Sequence, residues 1–342
     1  MQRSFNRILT LAFFLGLVLT FSGTALAQYT NTLLDSNVSG YGKLDPLLVN
    51  GWGLAYLPGG AFWVSDAGSG WSTLYDGSGN KQSLEVVVPS AKGLTGGTPT
   101  GIVANSSQEF LVKGWASEFI FATLDGTISG WAPQSNPTQA IIAVNNNSTG
   151  ASYTGLAITN HTSGNMIYAA DTANRKVDIY DGNFNFVTSF TDTALPKNAT
   201  PFGIQDINGS VYVAYCDANG GPDGVIDVFT EAGVFVKHLV KGAPLNQPWG
   251  MAVAPSNFGP LSNTLLVSNN LNKTGDINGF DLTTGKYVGT ITGSNGKPIQ
   301  IDQIWGIEFG GGSPLNGETN QLFWAAGPRN NVDGAFGYIS AQ

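Results

Sequence analysis

The chain has 342 residues, with 15 Lys and Arg against 23 Asp and Glu, a net charge of −8. That balance excludes a nucleic-acid surface, which needs clustered Lys and Arg to displace counterions. A lone cysteine, Cys216, excludes an internal disulfide, so stability must come from a core of the size a chain this long can bury.

The N-terminus reads as a secretory signal over 1–27. Arg3 and Arg7 make it basic, 8–21 is apolar apart from Thr10, Gly16 and Thr20, and Ala25-Leu26-Ala27 is a small-x-small cleavage site. The apolar run is short for a membrane span, and no later segment is apolar enough for one. The expected mature chain, 28–342, is therefore an exported, soluble single domain, secreted or periplasmic and monomeric.

Segment 29–34 reads as a short strand standing before any repeat. A recurring figure follows: a polar residue, two further residues, a glycine and an apolar run. It appears as Asn50-Gly51-Trp52-Gly53, Thr98-Pro99-Thr100-Gly101, Ser152-Tyr153-Thr154-Gly155, Thr200-Pro201-Phe202-Gly203, Gln247-Pro248-Trp249-Gly250 and Gln303-Ile304-Trp305-Gly306. Six copies about 50 residues apart signal a solenoid, a propeller or an array.

Repeat one offers strands at 53–57, 61–65, 72–75 and 83–88, each bounded by Gly, Pro, Asn or Asp. Repeat two offers 101–104, 110–112, the pair 119–123 with 128–131, and 140–144. Repeats three to five give 155–158, 166–170, 176–180 and 186–190; then 203–207, 211–215, 225–229 and 234–239; then 250–253, 264–268, 276–280 and 287–291. Repeat six gives only 306–309, 321–325 and 335–339. Only 11% of residues are charged, and 46 are glycine, which favours strands and turns over helices. The expected architecture is an all-β, six-bladed β-propeller with four-stranded blades, the orphan strand at 29–34 completing the last blade and closing the ring.

Leu74-Tyr75-Asp76-Gly77, Tyr168-Ala169-Ala170-Asp171 and Val177-Asp178-Ile179-Tyr180-Asp181 resemble the six-bladed NHL-repeat propellers. The run from Phe119-Ile120-Phe121 through Asp125-Gly126-Thr127-Ile128 to Trp131, with Tyr153-Thr154-Gly155-Leu156-Ala157, is similar to a family of secreted bacterial propeller proteins without an assigned activity. The resemblance spans the mature chain. It implies fold and export, and it brings no catalytic residues.

In a propeller, the residues before the anchor glycines and the loops after the second strands open on one face. The first set contains Trp52, Phe202, Trp249 and Trp305, with Thr100 and Thr154, and the uncharged polar residues Asn50, Thr98, Ser152, Thr200, Gln247 and Gln303. Four aromatics in a polar ring suit stacking on a flat neutral ligand such as a sugar; they equally suit wedges packed between blades. The second set holds Asp66, Asp171, Asp217, Asp223, Asn269, Asp276 and Asp333. Asp66, Asp171 and Asp217 are candidate ligands for Ca2+, although Asp-Gly and Asn-Gly are also ordinary turn chemistry. With His161 and His238 as the only histidines, a three-histidine zinc site is excluded, and no Gly-x-Ser-x-Gly elbow or phosphate loop appears. Asp302, paired with Asp66 or Asp171, is the candidate acid–base pair. Nothing near Cys216 marks a nucleophile.

The leading expectation is a non-catalytic binding or scaffolding propeller, without a required cofactor, taking a carbohydrate or an extracellular protein on its aromatic face. The alternatives are a metal-dependent lyase, lactonase or glycan-active enzyme using the aspartates, and an assembly protein that binds through its blade edges.

Overall fold

The computed structural model describes residues 28–93, 95–159 and 164–342. The expected signal segment 1–27 and His161 lie outside the described residues. Six sheets, antiparallel but for one short edge strand of the last, follow one another around an axis. Blade 1 is Gly51–Ala55, Phe62–Asp66, Trp71–Tyr75 and Lys81–Val87, from the axis outward. Blade 2 is Pro99–Ala104, Phe119–Thr123, Thr127–Trp131 and Ile141–Asn145. Blade 3 is Tyr153–Thr159, Met166–Asp171, Lys176–Asp181 and Phe186–Phe190. Blade 4 is Ala199–Ile207, Ser210–Asp217, Val225–Thr230 and Phe235–Lys241. Blade 5 is Pro248–Val253, Thr264–Asn269, Ile277–Asp281 and Tyr287–Thr290. Blade 6 is Ile304–Phe309, Gln321–Ala326 and Ala335–Ala341, completed by Tyr29–Ser36, with the short strand Lys43–Leu44 at its edge. Among the described residues, no helix is long and apolar enough to cross a membrane.

Six glycines set the width of the axis. A methyl group on Gly53 would stand 2.5 Å from the Thr100 carbonyl oxygen, on Gly155 3.0 Å from that of Phe202, and on Gly306 2.6 Å from that of Trp52. Gly250 meets the Trp305 carbonyl oxygen at 2.5 Å, and Gly101 and Gly203 are closer still to Leu156 and Trp249. Each anchor glycine thus faces the backbone of the next blade, and the sixth faces the first. Only glycine lets neighbouring backbones come this near. The inner strand of every blade also carries a register irregularity near its anchor, which bends it at the crowded point.

Between blades the core is aromatic. Trp63 of blade 1 stacks on Phe119 of blade 2 with ring centroids 4.1 Å apart, and Phe62 packs on Phe323 of blade 6 at 4.5 Å. The wedges between these blades therefore come from second strands.

Blade 2 departs from the sequence reading. The expected strand at 110–112 is an insertion, a two-rung hairpin of Leu111–Val112 and Trp115–Ala116, and 119–123 and 128–131 belong to the second and third strands. The cause is the turn chemistry of Lys113-Gly114, both at positive φ, together with Phe110. Phe110 is fully buried against Phe184 and holds a φ of 59.

Closure follows the expected route. Tyr29–Ser36 pairs antiparallel with Ala335–Ala341, from Tyr29 opposite Ala341 to Ser36 opposite Ala335. The strand also latches blade 5: the Tyr29 hydroxyl donates to Phe258 O at 2.8 Å and accepts from Leu261 N–H at 3.0 Å, while its ring lies 4.9 Å from that of Phe258. Tyr29→Phe keeps the ring and leaves a buried donor and acceptor unpaired. Urea unfolding should show a loss of about 1–3 kcal/mol; an unchanged midpoint would show that the latch rests on the ring alone.

Candidate functional site

All six inner strands run the same way, so their N-terminal ends meet at one end of the axis and their C-terminal ends at the other. At the N-terminal end the structure gathers Trp52, Phe202, Trp249 and Trp305, as the repeat phase requires. Their faces meet one another. Trp52 and Trp305 stack with ring centroids 3.6 Å apart, Trp249 stands edge-on to both, and Phe202 lies edge-on to Trp305 at 5.6 Å. The three indoles are only 3–8% exposed. They form a plug across the axis rather than wedges between blades.

Polar neighbours hold the plug. The Trp249 indole N–H donates to Thr154 O at 2.9 Å, and that of Trp305 to Asn50 Oδ1 at 3.1 Å and Asn331 Oδ1 at 3.3 Å. Asn50, Gln247 and Gln303 sit at φ values of 52, 53 and 49, the left-handed region that non-glycine residues enter only when their surroundings hold them there. Gln247 Nε2 donates to Asp217 O and Gly221 O, and Gln303 Oε1 accepts from Asn331 N–H. The Thr100 and Thr154 hydroxyls bond backbone carbonyls of the following blade, Tyr153 O and Phe202 O. Thr200 faces the buried thiol of Cys216, whose pKa burial pushes up.

The second-strand aspartates share that end of the axis: Asp66 pairs with Gly51, Asp171 with Tyr153 and Asp217 with Ala199. They stay one per blade, each in local bonding. Asp66 is fully buried, accepts from the Thr73 hydroxyl at 2.8 Å, and is driven far above the usual carboxylate pKa by burial. Asp171 accepts from Ser152 N–H, Asn174 N–H and Asn174 Nδ2. Asp217 accepts from Asn219 N–H, which holds its pKa low. Asn269 donates to Asp276 at 2.9 Å, and Asp223 is exposed. Asp302 accepts from the backbone N–H groups of Lys273 and Arg329, and Asp333 pairs with the Arg329 guanidinium. The expected pairing of Asp302 with Asp66 or Asp171 does not appear among the hydrogen bonds of the described residues.

The open end of the axis is the one the repeat figure did not mark. A funnel of about 280 Å3 opens where the inner strands finish, lined by Tyr56, Pro58, Ile102, Gln205, Asp206 and Glu308 among others. It shares Leu54, Ile102, Gln205 and Glu308 with a narrower axial cavity of about 40 Å3, which is also lined by Trp249. The plug therefore makes the funnel blind. Burial among the inner strands pushes the Glu308 carboxyl up to about 7, against a smaller opposing effect of the Phe309 backbone N–H. No local motif marks Glu308; the one signal in the sequence is an acid at the polar end of an otherwise apolar inner strand, Ile304–Phe309.

No family model matches the chain. It is 30% identical over 330 residues to the uncharacterised protein R648 of Acanthamoeba polyphaga mimivirus, covering 90% of this chain and 79% of that protein. It is 30% identical over 318 residues to the uncharacterised protein L690 of the same virus, covering 86% and 81%. These relatives are viral and do not support the bacterial source expected from the motifs. Among solved structures, a gluconolactonase from Xanthomonas campestris superposes with a TM-score of 0.56 at 13% identity, over 86% of this chain and 88% of that one. A catalytically inactive virginiamycin B lyase from Staphylococcus aureus with quinupristin gives 0.55 at 13%, over 92% and 99%. A chain of a nidogen/laminin complex gives 0.53 at 11%, over 76% and 84%. At these identities the likeness shows the propeller fold, on which both enzymes and binding proteins are built.

Two outcomes follow from this geometry. Trp305→Phe removes the indole donor to Asn50 and half of the stacked pair, and should cost about 1–3 kcal/mol. It should also remove the exciton couplet of Trp52 and Trp305 from the far-ultraviolet circular dichroism, whereas changing the exposed Trp115 should not. A couplet that survives would mean that the two rings do not stack in solution. Glu308 binds its proton more tightly folded than unfolded, so its contribution to stability is full below its ordinary value of 4.5 and is lost as pH rises to about 7. Glu308→Gln should therefore melt higher than the parent at pH 8, with the difference vanishing by pH 4.5. A difference that does not change with pH would refute the shift.

Proposed function

The chain belongs to the family of the uncharacterised mimivirus proteins R648 and L690, and from that premise we propose that it is an exported binding propeller that takes one sugar unit in its blind axial funnel. The observation that carries this reading is the funnel itself. Its volume of about 280 Å3 falls just below the usual range for ligand sites, about 300–1,000 Å3, which suits a monosaccharide or the end of a chain rather than an extended glycan. Gln205, Asp206 and Glu308 present acceptors and an amide donor at the rim, as hydroxyl groups require, and Tyr56 adds an aromatic wall. The aromatic residues expected to hold the ligand enter differently in this reading. Trp249 is the floor, and Trp52, Trp305 and Phe202 brace it from behind, as do Asn50, Gln247 and Gln303. Export is supported by the signal pattern at 1–27 and by the closing strand, which begins at Tyr29, just past the expected cleavage site.

One observation favours a second reading, an enzyme. A carboxyl held near 7 is half protonated at neutral pH, the condition for general acid–base work, and Asp206 lines the same funnel. The propeller gluconolactonase makes a lactone the natural first substrate class to test.

Both readings meet in one experiment. The protein is screened on a glycan array and hits are titrated by intrinsic tryptophan fluorescence, in parallel with a panel of sugar lactones. The expected result is a saturable fluorescence change that Gln205→Ala and Glu308→Gln each weaken at least tenfold, or about 1.4 kcal/mol. Lactone turnover abolished by Glu308→Gln would favour the enzyme. A ligand bound with the same affinity by both variants would take the site out of the funnel.

A further inference from the structure

Blade 4 carries a second chemical cluster, away from the axis. Asp227 on its third strand and His238 on its outer strand are direct cross-strand partners, so their side chains share one face. Asp192 reaches the same place from the crossover that leads out of blade 3. His238 Nδ1 lies 2.7 Å from Asp227 Oδ1 and 3.5 Å from Asp192 Oδ2. The three residues offer donor atoms that all lie within 4.8 Å of one another, the only such group of three or more among the described residues.

The cluster is under-satisfied. Asp227 is fully buried, yet its Oδ2 has no hydrogen-bond partner. Asp192 Oδ2 is buried and has none, while Asp192 Oδ1 accepts from Ala194 N–H. The Tyr215 hydroxyl, on a side chain 1% exposed, lies against the Thr191–Asp192 segment and is near enough to both carboxylates to feel their charge. Two buried carboxylates face one imidazole, and no Lys or Arg ion pair to either occurs among the described residues. Burial first, and then the neighbouring Asp192, pushes the Asp227 carboxyl up, against the pull of His238. Buried polar atoms are ordinarily paired, and buried charges are paired or bind metal.

We propose that Asp192, Asp227 and His238 form a site for a divalent transition metal, zinc by preference. Its donor set is one imidazole nitrogen and two carboxylates, which fits zinc; calcium takes six to eight oxygens and no imidazole. Zinc bonds of about 2.0–2.2 Å in a tetrahedron put ligand atoms roughly 3.3–3.6 Å apart; the separation of His238 Nδ1 from Asp192 Oδ2 fits, and the 2.7 Å hydrogen bond from His238 to Asp227 must open by about 0.6–0.9 Å to admit the ion. The imidazole is the exposed member, with 36% of its side chain open, which leaves a coordination position for water on the solvent side. The ion ties the blade 3 crossover to the outer half of blade 4.

The test uses the purified protein, stripped with a chelator and freed of any affinity tag. Titration calorimetry with zinc chloride should give one equivalent bound, zinc should raise the melting temperature, and cobalt(II) should develop the visible absorption of a four-coordinate ion. His238→Gln and Asp192→Asn should each weaken zinc binding at least tenfold and remove the cobalt band. His238 is about a third open to solvent, so His238→Gln should melt like the metal-free parent; if Asp192→Asn fails to fold, His238→Gln decides. Absence of stoichiometric zinc binding overturns the site. So does one equivalent of zinc held as tightly by His238→Gln as by the parent.

Discussion

The structure depends on how closely six backbones can approach one axis. Each anchor glycine lies against the next blade, most often against the carbonyl of the residue before that blade's own glycine, and the sixth completes the circle. A side chain at any of these positions would push two blades apart, and because the ring is closed, a displacement at one joint must be absorbed at the other five. The same constraint produces the plug. Residues one step before the glycines are carried to the axis by geometry alone, so four aromatics spaced along the sequence by tens of residues end in contact.

Reading the channel as capped at one end changes what its two ends can do. The N-terminal end is made of rings held in stacks, left-handed backbone and buried amides, all features that resist movement. The C-terminal end is open, with Gln205, Asp206 and Glu308 lining its volume.

Fold and closure were legible in the sequence because both are written in spacing. Six glycine anchors and a last repeat short by one strand leave few other arrangements. At Phe110 the pattern points to a strand that blade 2 does not contain, since an apolar run of three residues looks the same in a strand and in a buried insertion. The axial site was half legible. Repeat phase foretold that Trp52, Phe202, Trp249 and Trp305 would converge, but no local pattern tells whether converging rings face a ligand or one another. Glu308 carries no motif, since its altered acidity arises from burial that only the assembled ring supplies. The Asp192, Asp227 and His238 group is equally silent in sequence, because strand register and a crossover bring it together.

The latch at Tyr29 also bears on how the protein is made. Tyr29–Ser36 finds its partner in Ala335–Ala341, so the ring stays open until the ribosome has made both strands. By the logarithmic scaling of loop closure, joining ends roughly 300 residues apart costs only about 5 kcal/mol, so the delay is one of time more than of energy. Until then an unpaired edge waits on each side of the open ring, exposed to the wrong strand. A polypeptide that crosses a membrane unfolded would close only on the far side. Any product cut short before Ala335 would keep both edges and present itself as unfinished.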